Sequence, residues 1–129
     1  MAANRGKGLE RDFKILCDLA SSKAGFSYHR FPDAMSGSFA VAPADFLIEY
    51  EGVTTLVECK ETQYPGRIPY QNFRPDQVAR MNKWKQAGMR SKVVVHHTKD
   101  RTYRLVDIDF FTERDLSKGS WFFPEPAQY

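Results

Sequence analysis

The stretch Ala44-Asp-Phe-Leu-Ile-Glu-Tyr-Glu-Gly-Val-Thr-Thr-Leu-Val-Glu-Cys-Lys-Glu-Thr62 decides how the rest of the chain is interpreted. Two short apolar/polar runs flank Glu51-Gly52, a pattern that predicts a β-hairpin with a tight turn. A turn centred there pairs Phe46 with Val57 and places Asp45 directly opposite Glu58. Lys60, two residues after Glu58, then projects from the same face of the strand.

Two opposed carboxylates in an antiparallel pair would lie close together, because facing Cβ atoms are about 4.5–5.5 Å apart. Such acids repel each other unless a proton or a cation lies between them. An Asp, a Glu and a Lys on one face therefore favour a site that binds a divalent metal and performs hydrolysis. Two alternatives stay open: a solvated edge hairpin, on which Glu49 would also lie, or a bulged three-residue loop that shifts the register and separates the acids.

Length and composition point to one soluble domain. The chain has 129 residues, of which 42% are hydrophobic, and this composition argues against disorder. No apolar run approaches the roughly 20 residues of a membrane span, and the N-terminus lacks a signal-peptide core. Two cysteines are too few for a disulfide framework. We expect a cytoplasmic protein of a bacterium or a phage-infected host, with a net charge of +3 that permits an anionic partner.

Two helices are predicted on either side of the hairpin. Residues 6–20 carry an apolar stripe at helical spacing, with Glu10 on its border. Pro75-Asp76 opens the second helix and Gly88 ends it. Spacing places Gln77, Met81 and Trp84 on the inward face of this helix, and Arg80, Lys83 and Lys85 on the outward face. An inward glutamine is either a buried hydrogen-bond partner or a site residue.

The other segments complete an α/β domain with a mixed β-sheet flanked by helices. Vicinal His96 and His97 must face opposite sides of their strand, so we interpret them as structural. An aromatic, proline-bearing tail at 117–129 follows a core of about residues 4–116, and it would pack on its own domain or on a partner subunit. The remaining predictions are strands at 26–31, 92–97 and 103–106, loops at 32–43 and 63–74, and a short helix at 107–116.

Several basic residues are candidates for phosphate contacts, with a solvated helix or loop surface as the alternative. They lie in the first helix, near the first strand and in the loop that follows the hairpin. The candidate DNA-binding residues are Arg5, Lys7, Arg11, Arg30, Arg67 and Arg74.

These elements together resemble a PD-(D/E)XK nuclease. Glu58-Cys59-Lys60 matches the second motif directly, and Pro43-Ala44-Asp45 is the Pro-Asp element with one residue inserted. The chain is more narrowly similar to Holliday-junction resolvases of the archaeal Hjc type and the bacterial RecU type, over about residues 4–95. This likeness is carried by Asn4 to Arg11, Arg30-Phe31-Pro32, Ser36-Gly37-Ser38, Glu58 to Thr62, Ile68-Pro69 and Gln77.

The resemblance implies a restriction-endonuclease-like fold and a role for each matched residue. Asp45, Glu58 and the carbonyl of Cys59 would hold Mg²⁺, which Mn²⁺ could replace, and Glu10 would complete the acidic site. Lys60 would orient or deprotonate the attacking water. Gln77 would buttress the site, and Ser36 would approach the scissile phosphate.

The function implied is a Mg²⁺-dependent, structure-selective DNA endonuclease of recombination and repair. It would act as a homodimer on four-way junctions, because two opposed nicks need two sites. One alternative is another nuclease of the same superfamily that cuts flaps or duplex DNA. The other is a non-catalytic DNA-binding scaffold of the same fold.

Overall fold

The structure is a computed structural model that describes residues 7–32, 42–74, 76–111 and 119–124. The predicted site residues Arg5 and Ser36 lie outside the described residues, as does the side chain of Lys7. None of the helices within these ranges is long and apolar enough to cross a membrane.

The chain forms a mixed five-stranded sheet between two helices, which confirms the predicted α/β class. In the order β1-β2-β3-β5-β6, the central pair β3–β5 is parallel and the other pairs are antiparallel. A second, two-stranded sheet pairs β4 with β7. The elements are α1 (Lys7–Ala20), β1 (Phe26–Arg30), β2 (Phe46–Tyr50), β3 (Val53–Thr62), β4 (Arg67–Pro69), α2 (Gln77–Gln86), β5 (Arg90–His97), β6 (Thr102–Asp107) and β7 (Ser120–Phe122).

The predicted hairpin forms with its predicted register. Phe46 pairs with Val57 and Tyr50 with Val53, so the bulged alternative is wrong. Glu51 and Gly52 both have positive φ, 49° and 82°, as a type I′ turn requires. The hairpin is not at an edge, because β3 is the central strand.

Alternation along β3 divides the hydrophobic core into two layers. Val57 and Cys59 point to the α1 side of the sheet, where they pack with Leu9 and Phe46. Leu56 points to the α2 side, which holds the larger core cluster around Met81, Val93, Val95 and Phe111. Glu58 and Lys60 alternate with Cys59, so they share the α2 side with Leu56.

Three predictions outside the hairpin need correction. The predicted loop at 63–74 contains β4 and a 3-10 turn at Tyr70–Asn72, because β4 finds its partner in the distant β7. Trp84 is 43% exposed, since the inward face of α2 carries Gln77, Val78 and Met81. The predicted helix at 107–116 is described only as a 3-10 turn, Ile108–Phe110; residues 112–118 lie outside the described ranges.

The C-terminal segment packs on its own domain. Trp121 is 5% exposed and belongs to the larger core cluster. Its ring contacts those of Tyr70, Phe73 and Phe111, with centroids 4.6 to 5.3 Å apart. The hydrophobic core therefore extends to β7.

The two adjacent histidines point to opposite sides of β5, as their sequence requires. His97 is fully buried, and its Nδ1 lies 2.9 Å from the Tyr64 carbonyl oxygen. Arg104 Nε donates to His97 Nε2 at 3.2 Å, so Nε2 is an acceptor and Nδ1 carries the proton that bonds to Tyr64. These bonds assign His97 a structural role.

Candidate active site

A cavity of about 120 Å³ opens on the α2 side of the sheet, beside the start of β2 and the second half of β3. Four of the predicted site residues and one of the predicted DNA-binding residues line it. The lining consists of Phe31, Pro32, Ala42, Ala44, Asp45, Glu58, Lys60, Arg74 and Gln77.

Asp45 is held by the backbone of β3. The β2–β3 ladder ends at the Phe46–Val57 pair, and Asp45 precedes it; the predicted Asp45–Glu58 pair is therefore not a ladder pair. The Cys59 backbone N–H donates instead to Asp45 Oδ2 at 2.8 Å. Because N–H and C=O of one strand residue point to the same edge, the Cys59 carbonyl is directed to the Asp45 side as well.

Burial and neighbouring charge give Asp45 an unusual acidity. Burial raises the pKa of the Asp45 carboxyl to about 8, and the nearby Glu58 and Glu10 carboxylates add to the rise. The Cys59 N–H and the Lys60 ammonium act in the opposite direction but do not cancel it. Near neutral pH the acids at this site therefore favour a shared proton or a cation.

Lys60 is fixed between an acid and an aromatic ring. Its Nζ lies 3.1 Å from Glu58 Oε2, and both side chains are largely buried. The same ammonium group sits 4.8 Å from the centroid of the Phe73 ring, a cation–π distance. Phe73 was not predicted as part of the site, since no local pattern indicates which ring will meet Lys60.

Gln77 points inward as predicted and has an unsatisfied acceptor. The residue is 3% exposed, and within the described part of the chain its Oε1 has no hydrogen-bond partner. A buried amide oxygen without a donor costs about 1–3 kcal/mol. Because Gln77 lines the cavity, a water molecule or a ligand there could supply the missing donor.

Glu10 reaches the same region from the other side of the sheet. It is 7% exposed, and its Oε1 lies 3.4 Å from Arg30 Nη2. Glu10 is not among the residues that line the cavity, although its charge contributes to the raised pKa of Asp45. The α1 helix that carries it is anchored by the Leu9 N–H, which donates to Glu61 Oε1 at 2.8 Å.

The structure brings only part of the predicted basic set to the cavity. Arg74 lines the cavity and is exposed. Arg30 interacts with Glu10, and Arg67 stacks 3.7 Å from the centroid of the Tyr64 ring while donating to Ser120 Oγ. Arg11 is exposed on α1.

The available donors suit a hard cation. Two carboxylates and a backbone carbonyl directed to the same strand edge are all oxygen ligands, which Mg²⁺ prefers. Among the described residues no three His, Cys, Asp or Glu side chains form a metal-binding group. Mg²⁺ does not require one, because it usually keeps several waters and binds through one or two carboxylates. The orphaned Gln77 Oε1 could accept a hydrogen bond from such a water.

Comparison with known proteins identifies the fold. No family model matches the chain, and no curated protein matches it. Among solved structures, the chain is similar to Archaeoglobus fulgidus Hjc, a Holliday junction resolvase from an archaeal hyperthermophile. The match has a TM-score of 0.61 at 17% identity and covers 91% of this chain and 88% of that one. The chain therefore has the fold of this resolvase.

Proposed function

We propose that this protein is a Mg²⁺-dependent DNA endonuclease of the PD-(D/E)XK type that resolves four-way junctions by paired nicks, acting as a homodimer. The observation that carries the proposal is the acid pair of half-buried Asp45 and buried Glu58, with Lys60 alongside, in one open cavity. A scaffold protein gains nothing from two adjacent acids whose negative charges repel each other. The likeness to a resolvase fold supports the choice of substrate.

Each residue of the cavity would have a different role in phosphodiester hydrolysis. Asp45, Glu58 and the Cys59 carbonyl would hold Mg²⁺, whose chemistry is to polarise a phosphoryl oxygen and lower the pKa of water. Lys60 would place its side-chain nitrogen beside the reacting phosphate, either as the ammonium cation or, in its neutral amine form, as a proton acceptor. Gln77 Oε1 would orient a water molecule by accepting a hydrogen bond from it. Arg74 would bind the DNA backbone.

The direct test is cleavage of a synthetic four-way junction by the purified protein in Mg²⁺. We expect nicked duplexes as products, and no cleavage by Asp45→Ala, with junction binding retained because Asp45 contributes a metal ligand and not phosphate contacts. The readouts are a denaturing gel for cleavage and a mobility shift in Ca²⁺ for binding. A wild-type protein that binds junctions and never cuts them would contradict the proposal.

Two further measurements separate the alternatives. A panel of four-way, flap, nicked and linear substrates at fixed salt tests structure selectivity, since cleavage of all four at equal rates would indicate a general nuclease. Mg²⁺ titration by calorimetry tests the scaffold alternative. A scaffold would show no metal binding, whereas the proposed site loses its binding in Asp45→Ala.

A further inference from the structure

The aromatic ring of Phe73 lies beside the ammonium group of Lys60. Phe73 is 3% exposed and belongs to the larger core cluster, on the α2 side of the sheet. Lys60 projects to the same side, and its Nζ lies 4.8 Å from the centroid of the Phe73 ring. The face of an aromatic ring carries partial negative charge, so it attracts an ammonium group at this distance. Lys60 therefore has two partners, this ring and the Glu58 carboxylate.

The Phe73 ring is itself held by two other rings of the core. Its centroid lies 5.0 Å from that of Phe111 and 5.3 Å from that of Trp121, and the second pair is edge-to-face. Ring pairs at such distances attract each other beyond the effect of the area that they bury. Both partners are buried, so the Phe73 ring cannot turn away without disturbing a close-packed core. The ring is preorganised for its contact with Lys60.

The backbone around Phe73 is also tied to the strand that carries Lys60. Asn72 Nδ2 donates to the Glu61 carbonyl oxygen at 2.9 Å, and Glu61 directly follows Lys60 in β3. On the other side of Phe73, Arg74 lines the cavity. Successive residues of this segment thus bond to β3, contact the lysine and reach the cavity. The segment fixes the position of the ring relative to the strand.

Binding of Mg²⁺ would change the forces that act on Lys60. In the structure, Lys60 Nζ lies 3.1 Å from Glu58 Oε2. Under the proposed function Glu58 is a metal ligand, so the cation would offset its negative charge and weaken its attraction for the lysine. The Phe73 ring has no net charge and is not a metal ligand. Its attraction for the ammonium group would therefore persist when the metal is bound.

We infer that Phe73 is a positioning residue, whose ring face holds the Lys60 ammonium group at the cavity when Mg²⁺ is bound by Glu58. The inference rests on the proposed function for the role of the lysine, and it adds a residue that acts through Lys60. The alternative is that the ring only packs against the methylene stem of Lys60, as any apolar side chain could. The two explanations differ in whether the charge on the ring face matters.

The test replaces Phe73 with trifluorophenylalanine in the full chain. Fluorine atoms withdraw negative charge from the ring face and leave the shape of the side chain nearly unchanged. The matched control is the same replacement at Phe111, which is fully buried in the same cluster. Among the described residues no cation lies over the Phe111 ring. Both replacements alter the Phe73–Phe111 ring pair, but only the first alters the contact with Lys60.

The first readout needs neither DNA nor cleavage. It is a double-mutant cycle with Lys60→Met, measured by urea unfolding in Mg²⁺ and again in EDTA. We expect fluorination at Phe73 to raise the unfolding equilibrium constant about fivefold more when Lys60 is present than in Lys60→Met, in both conditions. At Phe111 we expect the same effect of fluorination with and without the lysine.

The second readout is cleavage of a four-way junction under single-turnover conditions. We expect fluorination at Phe73 to lower the rate constant about fivefold and to leave the Kd for the junction unchanged, because the ring acts on Lys60 and not on the DNA. The Phe111 control should keep the wild-type rate constant. A purely structural effect of fluorine would appear at both positions.

The inference is overturned if fluorination at Phe73 changes the stability equally with and without Lys60, or if the Phe111 control slows cleavage as much. It is also overturned by a coupling that is present in EDTA and absent in Mg²⁺, since the ring then does not hold the lysine in the metal-bound protein. A wild type that never cuts junctions removes the proposed function. The stability cycle still decides, without cleavage, whether the ring holds the lysine.

Discussion

Asp45 determines the chemistry of the candidate site more than any other residue. It is half-buried, accepts a hydrogen bond from the Cys59 N–H, and lies near two other acids, Glu58 and Glu10. In most folded proteins such a carboxylate would be exposed or paired with a cation. Its raised pKa leads to two predictions, one for metal binding and one for stability.

Metal binding should depend on pH in the range where Asp45 titrates. The pKa of Asp45 is about 8 without metal, so below that pH a bound proton competes with Mg²⁺. We expect the apparent affinity for Mg²⁺ to rise up to tenfold per pH unit between pH 6 and 8, then to level off, with proton release on binding. Calorimetry in buffers of different ionisation enthalpy measures both quantities. An affinity that is flat across this range would show that Asp45 is already ionised.

Asp45→Asn should stabilise the metal-free protein at pH 8. The folded pKa lies above the unfolded value of 3.8, so the stability contribution of the acid is greatest below 3.8 and is lost as the pH rises to about 8. Asparagine keeps an acceptor for the Cys59 N–H and cannot ionise. We expect a gain of about 2 kcal/mol at pH 8 and a smaller gain at pH 5, measured by urea unfolding in EDTA. A loss of stability at pH 8 would contradict the raised pKa.

At the level of secondary structure, the site forms because β3 extends beyond the start of its partner β2. β3 continues to Thr62, while β2 begins only at Phe46. Because β2 does not extend opposite Cys59, the N–H of Cys59 is free of the ladder and bonds to Asp45, and its carbonyl points to the same side. Alternation along β3 places the side chains of Glu58 and Lys60 on the α2 side. The start of α2 then adds Gln77.

The small sheet formed by β4 and β7 depends on a glycine before β7. Gly119 has φ of +96°, and a Cβ built there would lie 2.8 Å from Tyr70 Cε2. We expect Gly119→Ala to cost about 1–3 kcal/mol in the free energy of unfolding, because both the backbone and the ring contact oppose it. Gly66→Ala is the matched control: φ is +72° there, but nothing lies within 4 Å. Equal losses in the two variants would show that the ring contact has no effect.

At the scale of the whole molecule, the described tail residues 119–124 complete the larger hydrophobic core. Trp121 is buried among the rings of the larger core cluster, while its neighbour Phe122 is 69% exposed. We expect Trp121→Ala to lower the free energy of unfolding by about 3–5 kcal/mol and Phe122→Ala by about 0.5 kcal/mol or less, measured by chemical denaturation. A small effect of Trp121→Ala would mean that residues beyond β6 contribute little to the domain.

The local sequence was sufficient to predict the hairpin, its register and the inward position of Gln77. Side-chain alternation, the Glu51-Gly52 turn and helical spacing each depend on only a few neighbouring residues. They can therefore be recognised from the sequence without knowledge of the fold. The prediction that Trp84 points inward is wrong. Helical spacing gives the direction of a side chain, but it does not show how far the sheet beneath the helix extends.

The sequence by itself determined an α/β hairpin domain with acids and a lysine on one strand face. Only the tertiary structure decided that Asp45 bonds to Cys59, that Phe73 meets Lys60, and that Glu10 approaches from the opposite side of the sheet. It also decided that β4 pairs with β7. These contacts join residues far apart in the chain, and their geometry follows from packing the whole core, which no local pattern records.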